Sequence, residues 1–146
     1  MTLALHTLAH WRAELDAGRS SSRGLTEAAL AAALDGAEGR ATFTRVHAET
    51  ALATAQAVDA RRAAGLPPAA LGPLAGLPVS IKDLFDEAGQ VTRAGSRVLA
   101  DAQPAAADAV VVQRLRAAGA VIVGRTNMTE FAYSGLGLNP HHGTPR

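Results

Sequence analysis

The stretch Gly72-Pro73-Leu74-Ala75-Gly76-Leu77-Pro78-Val79-Ser80-Ile81-Lys82-Asp83 sets the frame for the rest of the chain. A turn rich in glycine and proline leads into a short apolar strand, in which successive side chains point to opposite faces. Lys82, at the end of that strand, is the only lysine among the 14 Lys and Arg residues. The stretch therefore predicts a strand over residues 77–81 with a single lysine at its end.

Two interpretations of this lysine stay open on composition alone. A desolvated lysine can lose its proton and act as a neutral base, which arginine cannot do. The competing interpretation is that an alanine- and arginine-rich sequence retains one lysine by chance, since single charged residues mostly lie on the solvated surface. The surrounding sequence has to decide between a functional base and a surface residue.

Length and composition predict one soluble globular domain with an aliphatic core. The chain has 146 residues, of which 48% are hydrophobic and 3% aromatic. The formal net charge of +1 gives no reason to expect nucleic acid or an anionic membrane as a partner. Because cysteine is absent, disulfides and thiolate metal sites are excluded. No cofactor is predicted. The chain has no run of 18 or more apolar residues and no recognisable secretory signal at its start, so a cytoplasmic location is expected.

Hydrophobic periodicity predicts helices and strands in succession along the chain. Two N-terminal helices are expected: one ends at Gly18, and the other begins at an N-cap at Thr26 after a polar linker over residues 20–24. The later pattern predicts a turn over 35–39, strands over 41–46, 77–81 and 120–124, helices over 47–64 and 108–118, and a short helix or turn over 127–133.

The faces of these elements can also be predicted. In the strand at 77–81, Leu77, Val79 and Ile81 share one face, and Ser80 and Lys82 the other. In the helix at 108–118, the apolar face consists of Val111, Val112 and Leu115. That helix and the continuous apolar strand after it form half of a βαβ unit, with the strand covered on both faces.

Several residue groups suggest chemistry, each with a simpler structural explanation. His141-His142 resembles a metal site but lacks a carboxylate at ligand spacing. The loop Ser134-Gly135-Leu136-Gly137 is rich in glycine but lacks the spacing of a phosphate-binding loop. Asp83 and Asp86 form a candidate carboxylate pair, with turn and capping roles favoured. Ser80 and Lys82 share a strand face but lie roughly 6.5–7 Å apart, too far for direct proton transfer.

The motifs together resemble the amidase signature family. The stretch over residues 72–83 is similar to the family's lysine motif. Thr92-Arg93-Ala94-Gly95-Ser96 is similar to its T-x-A-G-S loop. Residues 108–131 resemble the helix and strand that lead into a T-N-M-x-E-F run, and Asn139-Pro140 resembles the family's N-P. These motifs occur in the family's order over residues 42–146, which makes the resemblance specific.

This resemblance implies an α/β fold in which helices flank a mixed central sheet. The chain would be a partial amidase-signature domain over residues 1–146, with N-terminal helices over 1–40 and the start of the α/β core over 41–146. It also implies hydrolysis of carboxamides by a Ser–cis-Ser–Lys triad in which Lys82 is the base, activated by desolvation in an apolar core. Met128, Tyr133 and Ser134 are expected to line the site of a small amide substrate.

The sequence lacks the segment that carries the two serines of the family's triad. In the family, the two serines lie in a G-G-S-S-G-G segment after the N-P pair, and this sequence stops at Arg146. We therefore expect the N-terminal part of an amidase that is inactive alone. The alternatives are a non-catalytic interaction module or half of a split enzyme that binds a serine-bearing partner chain, and a fragment of the amidase subunit of a tRNA-dependent amidotransferase. The interaction alternative rests on strands at 77–81 and 121–124 with exposed edges.

Overall fold

A computed structural model of the chain describes residues 6–145. Within them, six α-helices, three β-strands and one 3-10 helix follow one another in mixed order. The helices are α1 (Leu8–Asp16), α2 (Ser22–Leu34), α3 (Gly36–Thr42), α4 (Ala48–Ala63), α5 (Pro68–Leu71) and α6 (Val110–Ala117). The strands are β1 (Phe43–Val46), β2 (Pro78–Lys82) and β3 (Val121–Thr126), and the 3-10 helix spans Glu130–Ala132.

The three strands form one mixed sheet in the order β1-β3-β2. Strand β1 is antiparallel to β3, with Arg45 opposite Arg125 and Val46 opposite Gly124. Strand β2 runs in the same direction as β3, because the Val121 amide donates to the Leu77 carbonyl at one end and the Asp83 amide to the Thr126 carbonyl at the other. The predicted α/β fold with a mixed sheet is confirmed.

Strand β3 lies between the other two strands. Its residues from Val121 to Arg125 are buried, as predicted for a strand covered on both faces. The prediction that β3 leaves an exposed edge is wrong, because β1 pairs with it. Gly124 permits this pairing, since a Cβ there would lie 2.4 Å from the Arg45 carbonyl oxygen.

The chain divides into two compact units. The first unit comprises the described residues of Met1–Ala32 together with His47–Val79 and Leu115–Val123. The second comprises Ala33–Val46, Ser80–Arg114 and the described residues of Gly124–Arg146. The strand ends that carry Lys82 and Arg125 therefore belong to the second unit.

The first unit has an aliphatic core in two clusters. Leu15, Leu25 and Leu77 form one cluster, against which Trp11 and Leu74 pack. Val58, Leu71 and Ala75 form the other, with Leu66 packed against it. The low aromatic content of the sequence thus appears as a core of leucine, valine and alanine.

Two glycines in the stretch over residues 72–83 allow close backbone approach in this unit. Gly72 has a φ of 103°, and a Cβ there would lie 2.5 Å from the Ala118 carbonyl oxygen. Gly76 has a φ of 81°, and its amide donates to the Gly119 carbonyl. These positions favour glycine because the backbone is left-handed and because there is no room for a Cβ. The turn that they form leads directly into β2.

Helix α2 begins earlier than predicted. Its first residue is Ser22, so Thr26 is buried inside the helix and the expected N-cap is wrong. The Asp59 carboxylate accepts hydrogen bonds from the backbone amides of Ser22 at 2.8 Å and Arg23 at 2.9 Å. A side chain 37 residues away satisfies donors that a local cap normally satisfies.

Two further element predictions need correction. Residues predicted as a turn over 35–39 belong mostly to α3, where a Cβ at Gly39 would lie 2.4 Å from the Ala33 carbonyl oxygen. Gly39 thus permits a close contact rather than a turn. In α6, Val112 is buried as predicted, but Val111 is 40% exposed.

No helix within residues 6–145 is long and apolar enough to cross a membrane.

Candidate active site

Lys82 is the last residue of β2 and its side chain is exposed. Ser80, on the same face, is also exposed, whereas Ile81 is buried, so the predicted alternation is confirmed. The expectation that the core of this chain desolvates Lys82 is wrong, because the amine is on an open face of the second unit. The strand nevertheless holds the lysine at a defined position directly before a buried residue.

That buried residue is Asp83, which forms an ion pair with Arg125. Asp83 is 2% exposed and Arg125 is 1% exposed. Arg125 Nε donates to Asp83 Oδ1 at 2.8 Å, and the Gly95 amide donates to Asp83 Oδ2 at 3.1 Å. The predicted turn or capping role of Asp83 therefore misses its main contact, which fixes the strand ends that carry Lys82 and Arg125.

Further polar contacts surround Arg125. Its Nη2 donates to Thr92 Oγ1 at 3.4 Å, and its Nη1 lies 3.6 Å from a carboxylate oxygen of Glu87. Asp86 accepts a hydrogen bond from Thr92 Oγ1 at 2.7 Å, so Thr92 links this carboxylate to Arg125. The sequence signal for this cluster was a charged residue directly after the apolar run that ends at Gly124.

The loop over residues 92–96 has left-handed backbone at two consecutive positions. Ala94 has a φ of 52° and Gly95 a φ of 68°. This conformation turns the Gly95 amide towards Asp83 and the Gly95 carbonyl towards Asn139. A left-handed alanine is unfavourable by itself, so surrounding contacts have to stabilise it; the Ala94 amide donates to the Asp83 carbonyl.

Asn139 joins three segments of the second unit through its amide group. Its Nδ2 donates to the carbonyl oxygens of Gly95 and Met128, both at 2.7 Å. Its Oδ1 accepts from the backbone amides of His141 at 2.8 Å and His142 at 3.1 Å. Because all the hydrogen-bonding capacity of the buried side chain is used, the turn after Asn139 is held against the loop over residues 92–96.

Ser96, Glu130 and His141 form a second polar contact in this region. Ser96 Oγ donates to Glu130 Oε1 at 2.5 Å, and His141 Nε2 lies 3.3 Å from the same oxygen. Ser96 is fully buried, and its hydroxyl is directed to the carboxylate rather than to the histidine. The arrangement joins two loops and contains no serine–histidine contact of the kind that activates a nucleophile.

The three predicted substrate-lining residues lie in different environments. Met128 is 3% exposed, whereas Tyr133 is 94% exposed. Ser134 is exposed and its hydroxyl accepts a hydrogen bond from the Leu136 amide at 3.2 Å. Their relation to a substrate remains a prediction, and the hydroxyl contact identifies the Ser134 segment as a local turn.

His142 is partly buried near charged groups. Burial lowers the pKa of its imidazole, and the negative charge of Asp83 acts in the opposite direction. His141, Arg93 and Arg97 lower it further. His142 Nε2 has no hydrogen-bond partner within residues 6–145. The neutral imidazole is therefore the form that the folded protein favours.

This shift predicts that the chain loses stability as the pH falls below the usual histidine pKa of about 6.5. The unfolded state then binds more protons than the folded state, so the free energy of unfolding decreases from about pH 7.5 to about pH 5.5. We expect His142→Asn to reduce this decrease, measured by urea unfolding at both values. His10→Asn, at an exposed helix position, is the control. Identical pH dependence in wild type and His142→Asn would contradict the prediction.

The arrangement defines a class of protein: an α/β chain with one lysine at the end of a sheet strand, held by a buried aspartate–arginine pair. The family model described as Amidase matches residues 24–146. The chain therefore belongs to the amidase family.

Individual relatives agree with this assignment. The chain is 50% identical over 131 residues to AtzE, which is part of the 1-carboxybiuret hydrolase of Pseudomonas sp. (strain ADP), with 88% of this chain and 28% of that protein covered. It is 50% identical over 115 residues to one of the subunits of the glutamyl-tRNA(Gln) amidotransferase of Salinispora arenicola, with coverages of 79% and 23%. The chain thus spans less than a third of the length of these relatives.

Solved structures show the same fold. A chain of a vestigial protein complex related to the origins of an s-triazine catabolic enzyme has a TM-score of 0.84 and 44% identity, with 94% of this chain and 30% of that chain covered. The native peptide amidase of Stenotrophomonas maltophilia has a TM-score of 0.78 and 34% identity, with coverages of 98% and 30%. The fold described above therefore corresponds to about 30% of the chain in each of these two solved structures.

Proposed function

We propose that the chain supplies the lysine-bearing part of an amidase that hydrolyses carboxamides, and that Lys82 is the base of a Ser–cis-Ser–Lys triad. The observation that carries the proposal is the position of the single lysine. It stands exposed at the end of β2, directly before the buried Asp83–Arg125 pair, inside the region matched by the family. A fixed position matters because a general base has to reach its proton within hydrogen-bonding distance.

In this proposal a complementary segment brings the two serines and covers Lys82. Desolvation by that segment favours the neutral amine, which then takes a proton from the bridging serine as this serine activates the nucleophile. The complement is a further part of the same polypeptide or a separate chain. The 146-residue chain alone then lacks amide turnover.

Exposed apolar side chains in the second unit support a complementary segment. Val98 is 81% exposed, Leu136 is 75% exposed and Tyr133 is 94% exposed. Burial of large apolar side chains against another surface lowers the free energy, because it removes them from water. Met128, Tyr133 and Ser134 then line the covered face next to a small amide substrate.

The relatives favour a second candidate within the same chemistry. The Salinispora relative belongs to a glutamyl-tRNA(Gln) amidotransferase, so this chain is also suited to the amidase subunit of such an enzyme. The two candidates share Lys82 and differ in the fate of the ammonia. Release of free ammonia from a carboxamide, with no dependence on a charged tRNA, favours the hydrolase.

A chimera tests the proposal. Residues of this chain replace the matched part of Pseudomonas AtzE, and hydrolysis of 1-carboxybiuret is measured for the chimera and for the 146-residue chain alone. We expect turnover by the chimera and none by the chain alone. Turnover by the isolated chain that survives Lys82→Ala would show that the assigned base is wrong, and a soluble, folded chimera without turnover would overturn the proposed role of the chain.

A further inference from the structure

We propose that the second unit contains a binding site for a small oxyanion, a carboxylate or a phosphate, between Arg45, Arg93 and Arg125. This site does not include Lys82, to which the catalytic role is assigned. Thr44, Arg45, Asp83, Val91, Arg93 and Arg125 line a cavity of about 300 Å³. A cavity of this size lies at the lower end of the range for small-molecule sites.

Two of these arginines have uncompensated charge. Arg45 and Arg93 are exposed, and neither guanidinium group has an ion pair or hydrogen bond within the part of the chain that the structure describes. They approach the cavity from different segments, Arg45 from β1 and Arg93 from the loop over residues 92–96. Arginine presents a planar set of donors that matches carboxylate and phosphate oxygens, so this pair is suited to hold an anion from two sides.

The buried pair below them does not neutralise these charges. Both oxygens of Asp83 are already engaged, one with Arg125 Nε at 2.8 Å and the other with the Gly95 amide at 3.1 Å. Glu87 lies 3.6 Å from Arg125 Nη1 and adds a second negative charge beside the buried arginine. Among the residues that line the cavity, three arginines stand against one aspartate, so positive charge is in excess at its wall.

Arg125 also retains an unused donor. Its Nη1 is buried and lies at ion-pair distance from Glu87, but it makes no hydrogen bond within residues 6–145. Buried donors without a partner are rare in folded proteins, so such an atom calls for an explanation. An anion at the cavity provides a favourable charge for this guanidinium group as well as for the two exposed ones.

The site lies apart from Lys82 on the strand. Lys82 is not among the residues that line the cavity, and neighbouring residues at a strand end point to opposite sides. Asp83 is on the cavity side, where Arg125 contacts it. The anion is therefore bound on the opposite side of the strand end from the Lys82 amine and does not contact that amine.

Titration of the 146-residue chain with sodium malonate and with inorganic phosphate, followed by amide chemical shifts in NMR spectra at low ionic strength, tests the proposal. We expect saturable shifts at Thr44, Arg45 and Val91. Loss of one charge-assisted contact in Arg45→Gln or Arg93→Gln weakens binding roughly tenfold. Arg97→Gln removes a nearby exposed arginine that does not line the cavity, so its affinity stays within about twofold of wild type.

Two outcomes would overturn the site. One is the absence of saturable shifts at roughly 10 mM of either anion, well above a millimolar dissociation constant. The other is equal weakening by Arg97→Gln and Arg93→Gln, which would mean general charge attraction. Tighter binding of malonate assigns the site to carboxylates, and tighter binding of phosphate assigns it to phosphoryl groups. Thermal unfolding of each variant verifies that the exposed substitutions leave the fold intact.

Discussion

Replacement of Arg125 by methionine is expected to lower the free energy of unfolding by about 3–5 kcal/mol, because it leaves a buried carboxylate without its counter-charge. Arg125 and Asp83 are 1% and 2% exposed, and Glu87 is also buried. Methionine fills much of the volume of the arginine stem, so the loss comes chiefly from charge and hydrogen bonding rather than from a cavity. Urea unfolding of the 146-residue chain measures the change.

Two comparisons separate the ion pair from a general effect of removing arginine. Arg97→Met deletes an exposed arginine in the same unit, and we expect a change within about 0.5 kcal/mol. In a double-mutant cycle, Arg125→Met together with Asp83→Asn costs less than the sum of the two single changes, since the amide removes the unpaired charge. An Arg125→Met variant as stable as Arg97→Met, or additive losses in the cycle, would show that the pair does not stabilise the fold.

The sequence predicted best those elements whose signals are local. The strand predicted over 77–81 forms as Pro78–Lys82, and the helix predicted over 47–64 forms as Ala48–Ala63. A glycine marks one end of each, Gly76 before the strand and Gly65 after the helix, and periodicity defines their faces. The exposure of Ser80 and the burial of Ile81 follow from that same periodicity.

Features that depend on distant partners were not predictable in the same way. Asp59 caps α2 from 37 residues away, so the local Thr26 signal was misleading. Asp83 and Arg125 are 42 residues apart in sequence, and spacing alone indicated only a turn aspartate and a basic residue after a strand. The central position of β3 depends on β1, whose pairing with β3 no local pattern specifies. Exposure of Lys82 also depends on which surfaces cover the end of β2.

In the chimera described above, Lys82→Met is expected to reduce kcat by about 10²–10⁴-fold, the usual contribution of a positioned general base. Lys82→Arg is expected to reduce it to a similar extent. Arginine retains the positive charge but cannot lose its proton, so it cannot accept one from a serine. The arginine variant therefore distinguishes a base from a residue that acts only through its charge.

Ser80→Ala is the matched control, because Ser80 is exposed on the same face of β2 as Lys82. We expect this variant to retain kcat within about threefold, since roughly 6.5–7 Å along the strand separates the two positions. In the isolated 146-residue chain, where Lys82 is exposed, both Lys82 variants should unfold at the same urea concentration as wild type, because an exposed side chain contributes little to stability. An active Lys82→Arg chimera would show that a neutral amine is not required. Equal losses in Ser80→Ala and Lys82→Met would point instead to a damaged strand end, and the stability measurement would detect that damage directly.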